Sequence, residues 1–221
     1  NTELKIPYKE FDRMGGYDPY SSSKGCSELL TSSYRRSFLN EGNILLASVR
    51  AGNVIGGGDW SENRLVPDIV KSVIKKRAIE IRCPNSTRPW QHVLEPLSGY
   101  LTLGQKLIQN EDKYACGWNF GPSESSVVNV LDFVNIAKLY WPEIMIEISS
   151  DYHDHEAGYL SLDSSKAFDL LNWSPNWKLE NTIEKTMNWY KKFLNNSTLL
   201  TQDDLEIYVS SAKENKIEWA T

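Results

Sequence analysis

The sequence predicts an α/β chain, on three observations. Segments of helical apolar spacing alternate with short apolar or alternating runs along almost the whole of the 221 residues, which is the pattern of strands interleaved with helices rather than segregated from them. Gly, Pro and Asn breakers fall between these segments. There is no repeat period and no low-complexity tract.

The opening, Asn1 to Asp12, is polar, lacks an initiator Met and has neither helical nor strand periodicity. It reads as a loop whose upstream continuation is missing. Met14-Gly15-Gly16-Tyr17-Asp18-Pro19 is turn chemistry. From Tyr20 to about Leu39 the spacing of Leu30, Tyr34 and Phe38 predicts a helix with one apolar face, stopped by Glu41-Gly42-Asn43. Ile44 to Val49 is a continuous apolar run, expected to be a strand buried on both faces between parallel neighbours. The Gly56-Gly57-Gly58 triplet must be loop. Helices are expected at Val66–Lys75 (with Pro67 in the first turn), Pro96–Ile108, Val130–Tyr140, Ser164–Leu171 and Thr182–Leu194. Strands are expected at Ala78–Arg82, Trp90–Val93, Trp118–Phe120 and Met145–Ile148. Asp203–Lys213 reads as a weakly attached tail helix. Trp173, Trp177 and Trp189 read as packing residues where a C-terminal helix closes the core.

The composition, 40% hydrophobic and 24% charged, supports a packed core. A formal charge of -5 gives no footprint for nucleic acid, yet two placed arginines suffice for a diphosphate. No apolar run approaches the ~20 residues of a membrane span. Cys26, Cys83 and Cys116 are odd in number and far apart, so reduced thiols and a cytoplasmic location are expected.

Three motifs carry chemistry. Tyr20-Ser-Ser-Ser-Lys24 places a phenol and an ammonium at i, i+4 on one helix face. A nearby cation stabilises a phenolate and so makes a phenol a usable base. With 11 tyrosines present, about one such spacing arises by chance, and the pair alone reads equally as a solvent-facing Tyr beside a solvated Lys. Arg64 and Arg88 carry guanidinium forks that suit phosphate oxygens better than an ammonium does; the alternative for Arg88 is a structural ion pair at a strand start. His153-Asp154-His155-Glu156 invites a metal reading. His92 is the one remaining histidine, and metal sites need three or four held ligands, so no metal is expected.

In order along the chain, Pro19-Tyr20-Ser-Ser-Ser-Lys24-Gly25-Cys26-Ser27-Glu28, then Arg50-Ala51-Gly52-Asn53-Val54-Ile55-Gly56, then Leu171-Asn172-Trp173-Ser174-Pro175 resemble the extended short-chain dehydrogenase/reductase family. Asn172 stands where that family has glycine, and Asn is the other residue that accepts a left-handed helix cap. Gly56-Gly57-Gly58-Asp59-Trp60 with Arg88-Pro89-Trp90-Gln91-His92-Val93 is similar to its CDP-glucose 4,6-dehydratase branch. The resemblance implies the C-terminal part of a Rossmann-type doubly wound fold plus a smaller α/β substrate-binding domain. Residues 1–56 and roughly 86–122 would be the remnant of the NAD-binding domain, 57–85 and 123–196 the sugar-nucleotide domain, and 197–221 a tail.

It further implies a lyase with NAD as cofactor, a CDP-glucose substrate, a role in surface-polysaccharide synthesis and a homodimer or higher homo-oligomer. Tyr20 would act as base and Lys24 would hold the cofactor ribose. Arg88 and Arg64 would hold the diphosphate, with Asn53 near the sugar, the Leu65 backbone near the base, and His155 or Glu156 lining the sugar pocket. No Gly-x-Gly-x-x-Gly fingerprint occurs in the 221 residues, and the family's elimination acid and base lie before the segment where this chain begins. The fragment alone is therefore expected to be inactive. Other readings are a dTDP-glucose or GDP-mannose 4,6-dehydratase, an epimerase, or a non-catalytic sugar-nucleotide-binding module.

Overall fold

Residues 5–16, 18–39, 44–149 and 158–220 are described by a computed structural model. Helix α1 (Pro19–Tyr34) starts where the sequence supplies a cap and a proline. The Asp18 carboxylate accepts from the Ser21 amide at 2.9 Å, and Pro19 occupies the first turn, where its missing N–H costs nothing. The helix continues as a π-turn over Arg35–Leu39. Its expected apolar face is not buried: Leu30 is 65% and Phe38 68% exposed, because no described element packs on it.

The first strand also departs from expectation. β1 is Ser48–Ala51 rather than Ile44–Val49, and Ile44 is 63% exposed. It pairs in parallel with one neighbour only, β5 (Gly117–Phe120), so among the described residues it is an edge. β2 (Asn53–Ile55) follows at once. It joins β4 (Thr87–His92) in parallel, and β4 pairs antiparallel with β6 (Val127–Asn129), a strand the sequence did not signal. β3 (Ile79–Ile81) pairs in parallel with β7 (Ile146–Ile148).

The remaining helices fall close to their expected bounds: α2 (Leu65–Ile74), α3 (Leu94–Ile108), α4 (Val130–Tyr140), α5 (Ser165–Leu171), α6 (Leu179–Asn196) and α7 (Thr201–Glu214). Helix α5 ends at Asn172 with φ +50°, the left-handed cap that Asn accepts.

Two apolar clusters hold these layers. One gathers Ile69 and Val70 of α2, Ile79 and Ile81 of β3, Trp90 of β4, Phe133 of α4 and Met187 and Trp189 of α6. The other packs Leu103 of α3 with Trp118 and Phe120 of β5 and Trp173. Trp173, Trp177 and Trp189 are buried as expected. The tail is not weakly attached, however. Tyr208 of α7 is buried, stacks on Trp219 and donates its hydroxyl to Glu95 Oε2 at 2.9 Å.

Candidate functional site

A cleft of about 1770 Å³ opens between the N-terminus of α1, the β2 strand end, the Gly56–Trp60 loop, the start of α2 and β3–β4. Tyr20, Asn53, Arg64, Leu65 and Arg88, five residues singled out from sequence, all line it.

Each is positioned by a local device. Tyr20 sits in the first turn of α1 and is 71% exposed, its phenol offered to open space. Lys24, one turn on, holds its Nζ 5.5 Å from the Tyr20 ring centroid. It is exposed and lies beside the ring, not among the cleft-lining residues. The helix is locked to β1 by a half-buried pair: Glu28 binds Arg50 through Nε at 2.8 Å and Nη2 at 3.0 Å, and accepts the Ser48 hydroxyl at 2.7 Å. The Arg50 guanidinium holds the Glu28 carboxyl below the usual carboxylate range, against the opposing effect of burial.

Asn53 lies opposite Trp90 across the β2–β4 ladder, and Arg88 two residues before Trp90 on the neighbouring strand. Gly52 lets these strands meet; a Cβ there would sit 2.6 Å from the Pro89 carbonyl oxygen. Arg88 Nη1 donates to the Thr87 carbonyl at 2.9 Å.

Arg64 caps α2 in an extended conformation with no side-chain cap, and Leu65 and Val66, the first residues of that helix, whose amides have no partner within it, line the cleft. Such amides and the helix dipole favour an anion. Arg64 Nη1 lies 3.6 Å from Asp59 Oδ2 in an exposed pair, an interaction that contributes little.

The loop before α2 rests on α6. Tyr190 donates its hydroxyl to the Asp59 carbonyl at 2.6 Å, the Trp60 and Tyr190 rings meet edge to face at 5.3 Å, and Trp189 packs against Gly57. Gly58 takes φ +87°, a conformation that favours glycine.

Sequence reasoning missed Lys71, Arg77 and Arg82, which also line the cleft, as do Asp68, Glu80 and Glu147. The strand alternation at Ile79–Ile81 identifies which side chains enter the core, and the cations flanking it were readable only as solvent-facing. His155 lies outside the described residues. The described residues contain no group of three or more His, Cys, Asp or Glu that could hold a metal ion, and no helix long and apolar enough to cross a membrane.

For NAD, the exposed phenol and ammonium on one face of α1 have the donor chemistry that ribose hydroxyls accept. They fit that half of the cofactor's requirements. The pyrophosphate turn that such cofactors use is a motif these 221 residues do not contain.

The parallel pairing, the interleaved helices and the cleft at the strand ends make a Rossmann-like α/β fold similar to that of sugar-nucleotide dehydratases and epimerases of known structure. A dTDP-glucose 4,6-dehydratase from Bacillus anthracis in complex with NAD matches with a TM-score of 0.69 at 18% identity, over 85% of this chain and 56% of that one. A UDP-glucuronic acid 4-epimerase from Bacillus cereus, in complex with UDP-glucuronic acid and NAD, matches with a TM-score of 0.73 at 18% identity, over 86% and 58%. In sequence the chain is a homologue of CDP-glucose 4,6-dehydratase: it is 45% identical over 213 residues to the Salmonella typhimurium enzyme of that name, covering 94% of this chain and 59% of that protein. The chain thus spans a little under three fifths of the relative's length. No protein-family profile matches it.

Proposed function

We propose that the chain is the substrate-facing part of an NAD-dependent CDP-glucose 4,6-dehydratase, which turns CDP-D-glucose into CDP-4-dehydro-6-deoxy-D-glucose and water. The observation that carries this reading is the convergence of Tyr20, Asn53, Arg64, Leu65 and Arg88 on one cleft, in a chain 45% identical to an enzyme of that name.

Arg88 and Arg64, with the α2 amides, hold the diphosphate, where guanidinium forks match its oxygens. The exposed Arg64–Asp59 pair is weak enough for phosphate to displace. Asn53 contacts the sugar and the Leu65 backbone the base. Tyr20 takes the proton from the C4 hydroxyl, with the Lys24 ammonium beside it and engaged with the cofactor ribose. NAD, when bound, supplies the acceptor and later the donor of the hydride. A C4 ketone makes the C5 proton acidic enough for water to leave from C6.

The domain division at 1–56 with 86–122, against 57–85 with 123–196, belongs to this proposal, as do cytoplasmic location, homo-oligomerisation and a place in deoxysugar synthesis for surface polysaccharide. The exposed apolar face of α1 supports a partner surface there. Residues 1–221 alone are expected to be inactive.

The test is mass analysis of nucleotide sugars after incubation of the full-length protein with NAD+. Loss of about 18 Da from CDP-glucose, faster than from dTDP-glucose or GDP-mannose, supports the reading. CDP-glucose returned unchanged, or converted with no loss of mass as an epimerase would do, overturns it.

A further inference from the structure

Away from the substrate cleft, a thiol and an amine are held against one another. Lys166 Nζ, on α5, lies 3.0 Å from Cys116 Sγ, just before β5. The amine is fixed by two further contacts: it donates to the Gly117 carbonyl at 2.8 Å and lies 4.3 Å from the centroid of the Trp118 ring. Three contacts on a side chain that usually samples many rotamers make the approach a built feature rather than a passing one. Cys116 is partly exposed, and Lys166 and Gly117 line a second cleft, of about 660 Å³, that shares no lining residue with the first. A small oxidant therefore has a route in. Cys26 and Cys83 show no such thiol–amine hydrogen bond among the described residues.

We propose that Cys116 and Lys166 form a reversible covalent redox clasp, in which an oxidised Cys116 sulfur is captured by the Lys166 amine. The oxidant is a hydroperoxide. Hydrogen peroxide converts the thiol to sulfenic acid, transferring one oxygen to sulfur and leaving one water. The Lys166 ammonium gives up a proton to solvent and the resulting amine attacks that sulfur; an S–N bond forms, the S–O bond breaks, and the hydroxyl leaves with an amine proton as a second water. The net change is the loss of two hydrogens from the protein.

Sulfenic acids condense readily with nearby thiols and nitrogens. A nucleophile pre-placed at 3.0 Å outcompetes any in solution by proximity alone. The link would tie α5 to the entry of β5, closing the chain between positions 116 and 166. That closure should raise the unfolding temperature of the oxidised protein, and thiol reductants should reverse it.

The experiment treats the full-length protein with hydrogen peroxide, digests it and maps it by mass spectrometry. The expected result is a cross-linked pair of peptides containing Cys116 and Lys166, lighter by about 2 Da than their sum and restored by dithiothreitol. In Lys166→Arg, which keeps the cation and removes the attacking amine, the same treatment should leave unlinked sulfenic or sulfinic acid at Cys116. Cys26 and Cys83 serve as internal controls. Cys116 gaining about 16 or 32 Da in the wild-type protein, with the Lys166 peptide unlinked, overturns the proposal. So does a gain of about 14 Da, the mark of an oxygen-bridged link rather than a direct S–N bond. The wild-type map decides the matter even if the arginine variant fails to fold.

Discussion

Replacing Glu95 by Gln should change how stability depends on pH, because two buried groups near Trp177 oppose one another. Glu95 is fully buried in the first turn of α3. Its carboxyl accepts the Trp177 amide at 2.7 Å, the Asn176 amide at 2.8 Å and the Tyr208 hydroxyl at 2.9 Å. Burial raises its pKa from the ordinary 4.5 to about 7, outweighing the three donors, which act the other way. His92, whose ring centroid lies 4.9 Å from that of Trp177, is pushed down from 6.5 to about 4 by burial, with the Lys185 charge adding to the effect.

For Glu95 the folded state keeps a proton that the unfolded state has lost between about pH 4.5 and 7, so its contribution falls as pH rises. For His92 the unfolded state holds the extra proton between about pH 4 and 6.5, so its contribution rises. Each shift of roughly 2.5 units corresponds to about 3 kcal/mol. In wild type the two nearly cancel.

A Gln amide nitrogen cannot accept, so Glu95→Gln turns an NH2 group toward the Trp177 or the Asn176 amide and should be less stable than wild type at pH 4. Between pH 4 and pH 7.5 the difference should shift in favour of the variant by about 3 kcal/mol, as wild type loses the proton that its buried carboxyl keeps at low pH. Urea unfolding followed by tryptophan fluorescence at the two pH values measures the difference, and His92→Gln should shift in the opposite direction. A Glu95→Gln difference that stays flat with pH, or shifts in favour of wild type as pH rises, would show that the three donors hold Glu95 as an anion and that the reasoning from burial is wrong.

Arg88→Lys in the full-length protein should weaken CDP-glucose binding about tenfold or more, since a fork becomes a point charge; unchanged affinity by calorimetry would return Arg88 to a purely structural role. Gly57→Ala should cost about 1–3 kcal/mol, because the new Cβ would sit 2.1 Å from Trp189 ring atoms and must displace the loop that carries Asp59. Gly104→Ala, mid-helix with nothing within 4 Å, should instead stabilise by about 0.5–1 kcal/mol. Equal melting shifts for these two alanines would contradict the tight fit.

Much of this was legible in the sequence where local chemistry decides it. Asp18-Pro19 fixes the start of α1, Asn172 the end of α5, and the Val130–Tyr140 periodicity gives α4 to the residue. Clustering at the cleft was legible through the motifs at Tyr20, Asn53, Arg64 and Arg88, though their meeting in space follows from the β2–β4 register. What failed was partnership. Apolar spacing at Leu30, Tyr34 and Phe38 marks a face without naming what covers it, and Ile44–Val49 reads as doubly buried though β1 has one neighbour here. The α7 tail looked polar because its anchors are long-range: Tyr208 reaches Glu95 across 113 positions and Ser211 accepts from Asn176 and Trp177, contacts no window of sequence contains.

The most direct test of the central claim is Tyr20→Phe in the full-length protein, with CDP-glucose turnover and CDP-glucose affinity measured on the same preparation. General base catalysis by a positioned side chain contributes about 10²–10⁴-fold. Turnover should therefore fall by at least about 10²-fold while the dissociation constant stays within about twofold, since Arg64 and Arg88 supply the binding. Near-normal turnover by the Phe variant would contradict the assignment of this cleft and its tyrosine.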